Sequence, residues 1–164
     1  MTCILAIDPG ITGAIAIYFT EAPDRVMVAD MPLAGGNVNP HALRQMIQSY
    51  KPDFAIIERV NAHPKEGVSS VWRFATAYAT AVTTVALCDV PYALVTPSSW
   101  KKFMALEGGK EGKEQARVRA IATFPHSAAN FARKKDHGRA EAALLAIYAH
   151  TSKKAFQYEL LPPH

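Results

Sequence analysis

Cysteine is nearly absent from this sequence: Cys3 and Cys88 are its two thiols, too few for a disulfide framework. Each sits among apolar neighbours, so buried free thiols in a reducing compartment are the expectation. Long hydrophobic runs are missing too. No stretch approaches the roughly 18 uncharged apolar residues of a membrane span. The longest candidate, Ala75 to Cys88, is interrupted by Thr76, Thr80, Thr83 and Thr84. The N-terminus passes into an apolar run with no basic leader, so no signal peptide is read and a cytoplasmic location is expected. Internal repeats, low-complexity tracts and a dividing linker are also lacking, which predicts one domain over residues 1–164.

The 49% hydrophobic and 20% charged content is that of a soluble globular protein with a substantial core. The formal net charge of +4 is unevenly spread. Residues 1–100 carry 6 Lys and Arg against 8 Asp and Glu, whereas residues 101–164 carry 12 against 6. The basic clusters are Lys101-Lys102, Lys110/Lys113/Arg117/Arg119, Arg133-Lys134-Lys135 with Arg139, and Lys153-Lys154. A polyanionic partner suits such a half; a solvated lysine-rich surface is the competing explanation.

Hydrophobic patterning predicts strands over 3–8, 13–19 and 25–31, joined by Gly10/Gly13 and Glu21-Ala22-Pro23-Asp24 as an antiparallel meander. A loop at 35–40 leads into a helix over about 41–50, which Pro52 stops. A strand over 53–58, a long helix over 68–88 and a strand over 92–95 follow. Thr96-Pro97-Ser98-Ser99 is a helix-start signal, and further helices are expected over about 113–124 and 138–150. The expectation is an α/β fold with a mixed sheet flanked by helices.

The chemistry gathers at acids. Ile4-Leu5-Ala6-Ile7-Asp8 is apolar until its last residue, and Phe54-Ala55-Ile56-Ile57-Glu58 repeats the design. His137 and Glu141, four apart on a predicted helix, share a face. Magnesium takes oxygen ligands from a few carboxylates plus substrate phosphates, and two such ions about 3.5–4 Å apart activate water and stabilise the leaving oxygen of a phosphodiester. Asp8, Glu58, His137 and Glu141 would supply that cage. Each has an ordinary alternative: Asp8 as a turn cap, Glu58 paired with Arg59, Glu141 paired with Arg139 or a lysine. Trp72, Phe74 and Tyr78 on the long helix are read as core or oligomer contacts rather than base-stacking groups.

Four ordered segments carry a family resemblance. Ile4-Leu5-Ala6-Ile7-Asp8-Pro9-Gly10-Ile11-Thr12-Gly13 resembles the opening motif of RuvC-type Holliday-junction resolvases of the ribonuclease H-like superfamily. Ile56-Ile57-Glu58-Arg59-Val60 resembles their second acidic motif. Leu94-Val95-Thr96-Pro97-Ser98-Ser99-Trp100-Lys101-Lys102 is similar to the segment leading to their basic helix. Asp136-His137-Gly138-Arg139-Ala140-Glu141-Ala142-Ala143-Leu144-Leu145-Ala146 resembles their last motif. Gly67-Val68-Ser69-Ser70 is similar to a segment of the phage and plastid branch.

The resemblance implies a ribonuclease H-like fold and a homodimer formed through the long helix. It also implies symmetric nicking of four-way junction DNA, with Mg²⁺ or Mn²⁺ as cofactor, in DNA recombination and repair. Asp8, Glu58 and Glu141 match the family's metal-binding acids. Many members have an aspartate three residues before the last acid, where this chain has Gly138; His137 is expected to substitute, with Asp136 as its rival. Lys113 matches a lysine that approaches the scissile phosphate. Lys110, Arg117, Lys134, Lys135 and Arg139 are expected to meet neighbouring phosphates, and His63 to probe the junction centre. Other expectations compatible with the same residues are a nuclease for other branched DNA or RNA–DNA hybrids, and a non-catalytic junction-binding protein. A sugar kinase or actin-like ATPase would need two lobes around a nucleotide, so no nucleotide cofactor and no membrane partner are expected.

Overall fold

A computed structural model describes residues 2–59 and 67–152. Strands β1 (Cys3–Asp8), β2 (Ala14–Phe19) and β3 (Met27–Asp30) form the expected antiparallel meander. The turn between β1 and β2 depends on glycine. A Cβ on Gly13 would overlap the Asp8 carbonyl oxygen, and Gly13 N–H donates to Gly10 O at 3.0 Å. Where the sequence suggested only a loop, β4 (Leu33–Ala34) and β5 (Asn37–Val38) make a small hairpin, turned by Gly35 and Gly36 at φ 57° and 78°.

Helix α1 (Pro40–Tyr50) starts because Asn39 Oδ1 accepts from the His41 and Ala42 amides, at 3.1 and 3.2 Å, with Pro40 in the first turn. It buries Leu43 and Ile47 and ends at Lys51, whose left-handed backbone donates to Ile47 O. Then come β6 (Phe54–Glu58), α2 (Val68–Ala86), β7 (Tyr92–Val95) and α3 (Pro97–Phe103). Helix α4 (Gly109–Thr123) begins a turn earlier than its sequence suggested. Two short 3-10 turns, Pro125–Phe131 and Lys134–Asp136, lead into α5 (His137–Thr151). Among the described residues, no helix is long and apolar enough to cross a membrane.

The sheet runs β3-β2-β1-β6-β7, with β1, β6 and β7 parallel. Side chains alternate across a strand, so each strand divides its residues between two cores. Leu5, Ile7, Ile15, Ile17 and Ile57 meet α1 and α2 through Leu43, Ile47, Ala77, Ala81 and Val85. Ile4, Ala6, Ala14, Ala16, Tyr18 and Ile56 face α3, α4 and α5. The alanines on that side allow α5 to lie close to the sheet. Leu144 and Leu145 are buried there, each stabilising the fold by about 2 kcal/mol.

Candidate active site

The register fixes the first two acids. Ile7 pairs with Ile57 across parallel β1 and β6, so Asp8 and Glu58 leave the sheet next to one another. Both continue the series that faces α5: Ile4 and Ala6 on β1, Ile56 on β6. The third acid, Glu141, comes from the first half of α5 and is 7% exposed. The approach of α5 is set at Gly138, which packs against the β1–β2 turn.

These carboxyls sense one another. Burial first, then the charges of Glu58 and Glu141, push Asp8 up to about 8 against the opposing charges of Lys101 and Lys113. Glu58 is also raised, by burial first, against the Trp100 hydrogen bond and the Lys101 charge. Three acids this close in a low-dielectric setting need positive charge.

Part of that charge is supplied by α3, whose Lys101 the sequence shows only as a member of a basic cluster. Glu58 pairs with Val95 at the end of β7, and the chain turns at once into α3, capped by Thr96. One turn later Trp100 is fully buried and donates its indole N–H to Glu58 Oε2 at 2.5 Å. Lys101 Nζ donates to Glu141 Oε1 at 2.9 Å and lies 5.3 Å from the centre of the Trp100 ring. Burial disfavours the lysine's charge, but Glu141, Glu58 and Asp8 outweigh it and raise its pKa. The available signal was the Thr96-Pro97 helix start, which orients the next turn.

Of the two pairings the sequence offered for Glu141, the structure forms the one with a lysine, Lys101, and not the one with Arg139. Arg139 makes a two-toothed bond to Asp30 at 2.7 and 2.8 Å, tying α5 to β3. In the DNA-free chain its guanidinium is therefore engaged by Asp30. Arg117 is 9% exposed and turned inward. It donates to the Phe131 and Ala132 carbonyls at 3.0 and 3.1 Å and pairs with Glu114. Lys110, Lys113, Lys134 and Lys135 are exposed, and the charge of Lys113 reaches Asp8. His63 lies outside the described residues.

At the fourth position the two rivals separate. Asp136 is buried and accepts from the Arg133 backbone N–H at 2.9 Å and from its guanidinium at 2.8 Å. Those bonds hold its pKa below the usual carboxylate range. His137 is half-buried, with Nδ1 3.3 Å from the Lys134 carbonyl oxygen. The structure does not bring it into a metal-ready set with Asp8, Glu58 and Glu141. Among the described residues, no three His, Cys, Asp or Glu side chains are disposed to share one ion. The donor chemistry nevertheless fits a hard divalent cation: three carboxylates, two raised by crowding and burial, converge from two strands and a helix.

A mixed sheet in this strand order, with acids at the ends of neighbouring parallel strands and helices on both faces, is a ribonuclease H-like fold of the RuvC type. Thermus thermophilus RuvC, solved in complex with a Holliday junction substrate, is similar at a TM-score of 0.70 and 17% identity. The match covers 98% of this chain and 100% of that one. A second T. thermophilus RuvC structure gives 0.67 and 15% identity over the same shares. No protein-family model matches the chain, and no curated protein does.

Proposed function

We propose that the chain is a metal-dependent endonuclease that resolves four-way DNA junctions in recombination and repair. The observation carrying this reading is the placement of Asp8 and Glu58 side by side at the ends of parallel strands, facing Glu141 on α5. Asp8, Glu58 and Glu141 are the residues that would hold Mg²⁺ or Mn²⁺. Such ions activate water and neutralise the phosphate at which the bond breaks. His137, one residue before the glycine that packs beside Asp8, is the candidate to take a proton from the attacking water. In the net step a water oxygen bonds to phosphorus as the P–O3′ bond breaks. Water's proton ends on the 3′-hydroxyl, leaving a 5′-phosphate.

Lys113 contributes charge toward Asp8 from an exposed position, where it meets the phosphate being cut. Lys110, Lys134 and Lys135 bind phosphates further along the arms. A four-way junction has two equivalent strands to cut, and a dimer presents two sites. Val68 and Trp72, one turn apart on α2, are 88% and 73% exposed, apolar groups that a second copy would cover.

The test is a labelled immobile four-way junction, matched duplex and RNA–DNA hybrid, each with Mg²⁺ or EDTA, beside an Asp8→Asn variant. Symmetric nicks confined to the junction, lost in the variant while binding persists, are expected. Cutting of the hybrid in preference would transfer the reading to a related nuclease. Junction binding without cutting in Mg²⁺ or Mn²⁺ would leave a binding protein.

A further inference from the structure

Lys101 has no place in a metal site built from acids alone, yet it sits among all three. Its ammonium is 2.9 Å from Glu141 Oε1, within reach of the fields of Glu58 and Asp8, and against the face of Trp100. The side chain is largely withdrawn from solvent at 25% exposure, and Glu141's is 9% exposed. Trp100, the residue before it, holds Glu58 through the indole N–H. One turn of α3 therefore engages two of the three acids, one by a hydrogen bond and the other by an ion pair.

We propose that Lys101 is a resident counter-ion: it neutralises the acid cluster while no metal is bound and must release Glu141 for a divalent cation to enter. This rests on the reading of Asp8, Glu58 and Glu141 as metal ligands. An ammonium and a divalent cation compete for the same carboxylate oxygens, so the lysine weakens metal affinity while stabilising the metal-free fold. Both effects follow from one charge. Trp100 and Lys101 each already engage one oxygen of Glu58 and of Glu141, which a metal ion would need. Release needs no rearrangement of α3, because the lysine stem is flexible and its head can swing toward solvent or an incoming phosphate.

The test uses metal without DNA. Mn²⁺ is titrated calorimetrically into the wild-type, Lys101→Met and Lys101→Arg chains, and their melting is followed with and without metal. The methionine variant is expected to bind Mn²⁺ about tenfold more tightly, to melt earlier without metal, and to gain more from saturating metal than wild type. The arginine variant keeps the charge and should bind no more tightly than wild type. Equal or weaker binding by the methionine variant, or no Mn²⁺ binding by any chain, overturns the proposal.

If the methionine variant fails to fold, a Trp72→Phe chain leaves Trp100 as its single tryptophan reporter. Trp100 emission should then change as Mg²⁺ saturates the site, and constant emission overturns the proposal. The two readings fail separately. A chain that cuts junctions but whose methionine variant gains no affinity sinks the counter-ion alone. One that shows the affinity pattern but leaves every DNA uncut sinks the nuclease.

Discussion

Gly138 faces Asp8 and the β1–β2 turn where α5 meets the sheet. A Cβ placed on Gly138 would stand 3.7 Å from Asp8 Oδ2 and 2.9 Å from the Thr12 carbonyl oxygen. The second distance is closer than backbone tolerates, so the start of α5 approaches the β1–β2 turn only because position 138 has no side chain. In this structure a side chain at position 138 would meet the Thr12 carbonyl, so the glycine fits the close approach of α5.

Gly138→Ala should therefore cost stability even though alanine is the better helix former. Pushing the Thr12 carbonyl away is expected to cost about 1–3 kcal/mol in urea unfolding, as overpacking does. Junction cleavage should fall with it, because Asp8 is carried on the displaced strand. A stabilised Gly138→Ala chain would show that α5 can move back freely.

The raised pKa of Asp8 makes a pH prediction. Its folded value of about 8 lies above the ordinary carboxylate value of 3.8, so the folded chain holds this proton more tightly than the unfolded chain. Where unfolded Asp8 has lost its proton and folded Asp8 has not, stability falls as pH rises. The window runs from about pH 4 to about pH 8. Asp8→Asn removes the titrating carboxyl. Without metal, the variant should be more stable than wild type at pH 8, by a few kcal/mol at order of magnitude, and equal to it near pH 4. Urea titrations at the two pH values measure the difference, and an unchanged gap would show that Asp8 is not desolvated in this way.

The strand-end acids were legible in the sequence because an apolar strand that stops on a carboxylate has few places to put it. Alternation also supplied their common face: Asp8 follows Ile4 and Ala6, and Glu58 follows Ile56, all on the α5 side. Trp100 and Lys101 were not assignable to that site. They reach Glu58 and Glu141 across 42 and 40 residues, through a parallel β6–β7 pairing that local patterns do not encode. The inward turn of Arg117 was hidden for a different reason. The buried face of α4 is made of Gly112, Ala116 and Ala120, which give no hydrophobic periodicity, so the helix looked like a solvated basic surface.

Asp136 and His137 are neighbours with different expected losses. Asp136 is 3% exposed and bound to Arg133 through backbone and guanidinium. Asp136→Ala should lower stability by about 1–2 kcal/mol, since it removes the buried acceptor of a half-exposed arginine and of a backbone N–H. Because the folded pKa is depressed, that contribution is present above the unfolded value and fades as pH drops through the folded one. His137→Ala should leave urea unfolding within about 0.5 kcal/mol of wild type. It should nevertheless reduce junction cleavage on the order of 10²-fold if the imidazole handles the water's proton. Equal cleavage losses in variants matched for folded fraction would remove the distinction.

Arg117 and the exposed lysines divide stability from DNA affinity in the same way. Arg117→Met empties a buried site that satisfies the Phe131 and Ala132 carbonyls, so it should cost about 2–3 kcal/mol of stability. Junction affinity, measured on the folded fraction, should keep its salt dependence. Lys110→Met, Lys134→Met and Lys135→Met should do the reverse. Each lysine is exposed, and each that meets a phosphate should reduce the slope of log affinity against log salt by about 1 while unfolding is unchanged. Lys113→Met should show that slope change together with a cleavage loss larger than the binding loss, because its charge also reaches Asp8. Fluorescence anisotropy with a labelled junction at several salt concentrations measures the slopes. If Arg117→Met changed the slope and the lysine variants did not, the basic surface would have to be placed on the other side of α4.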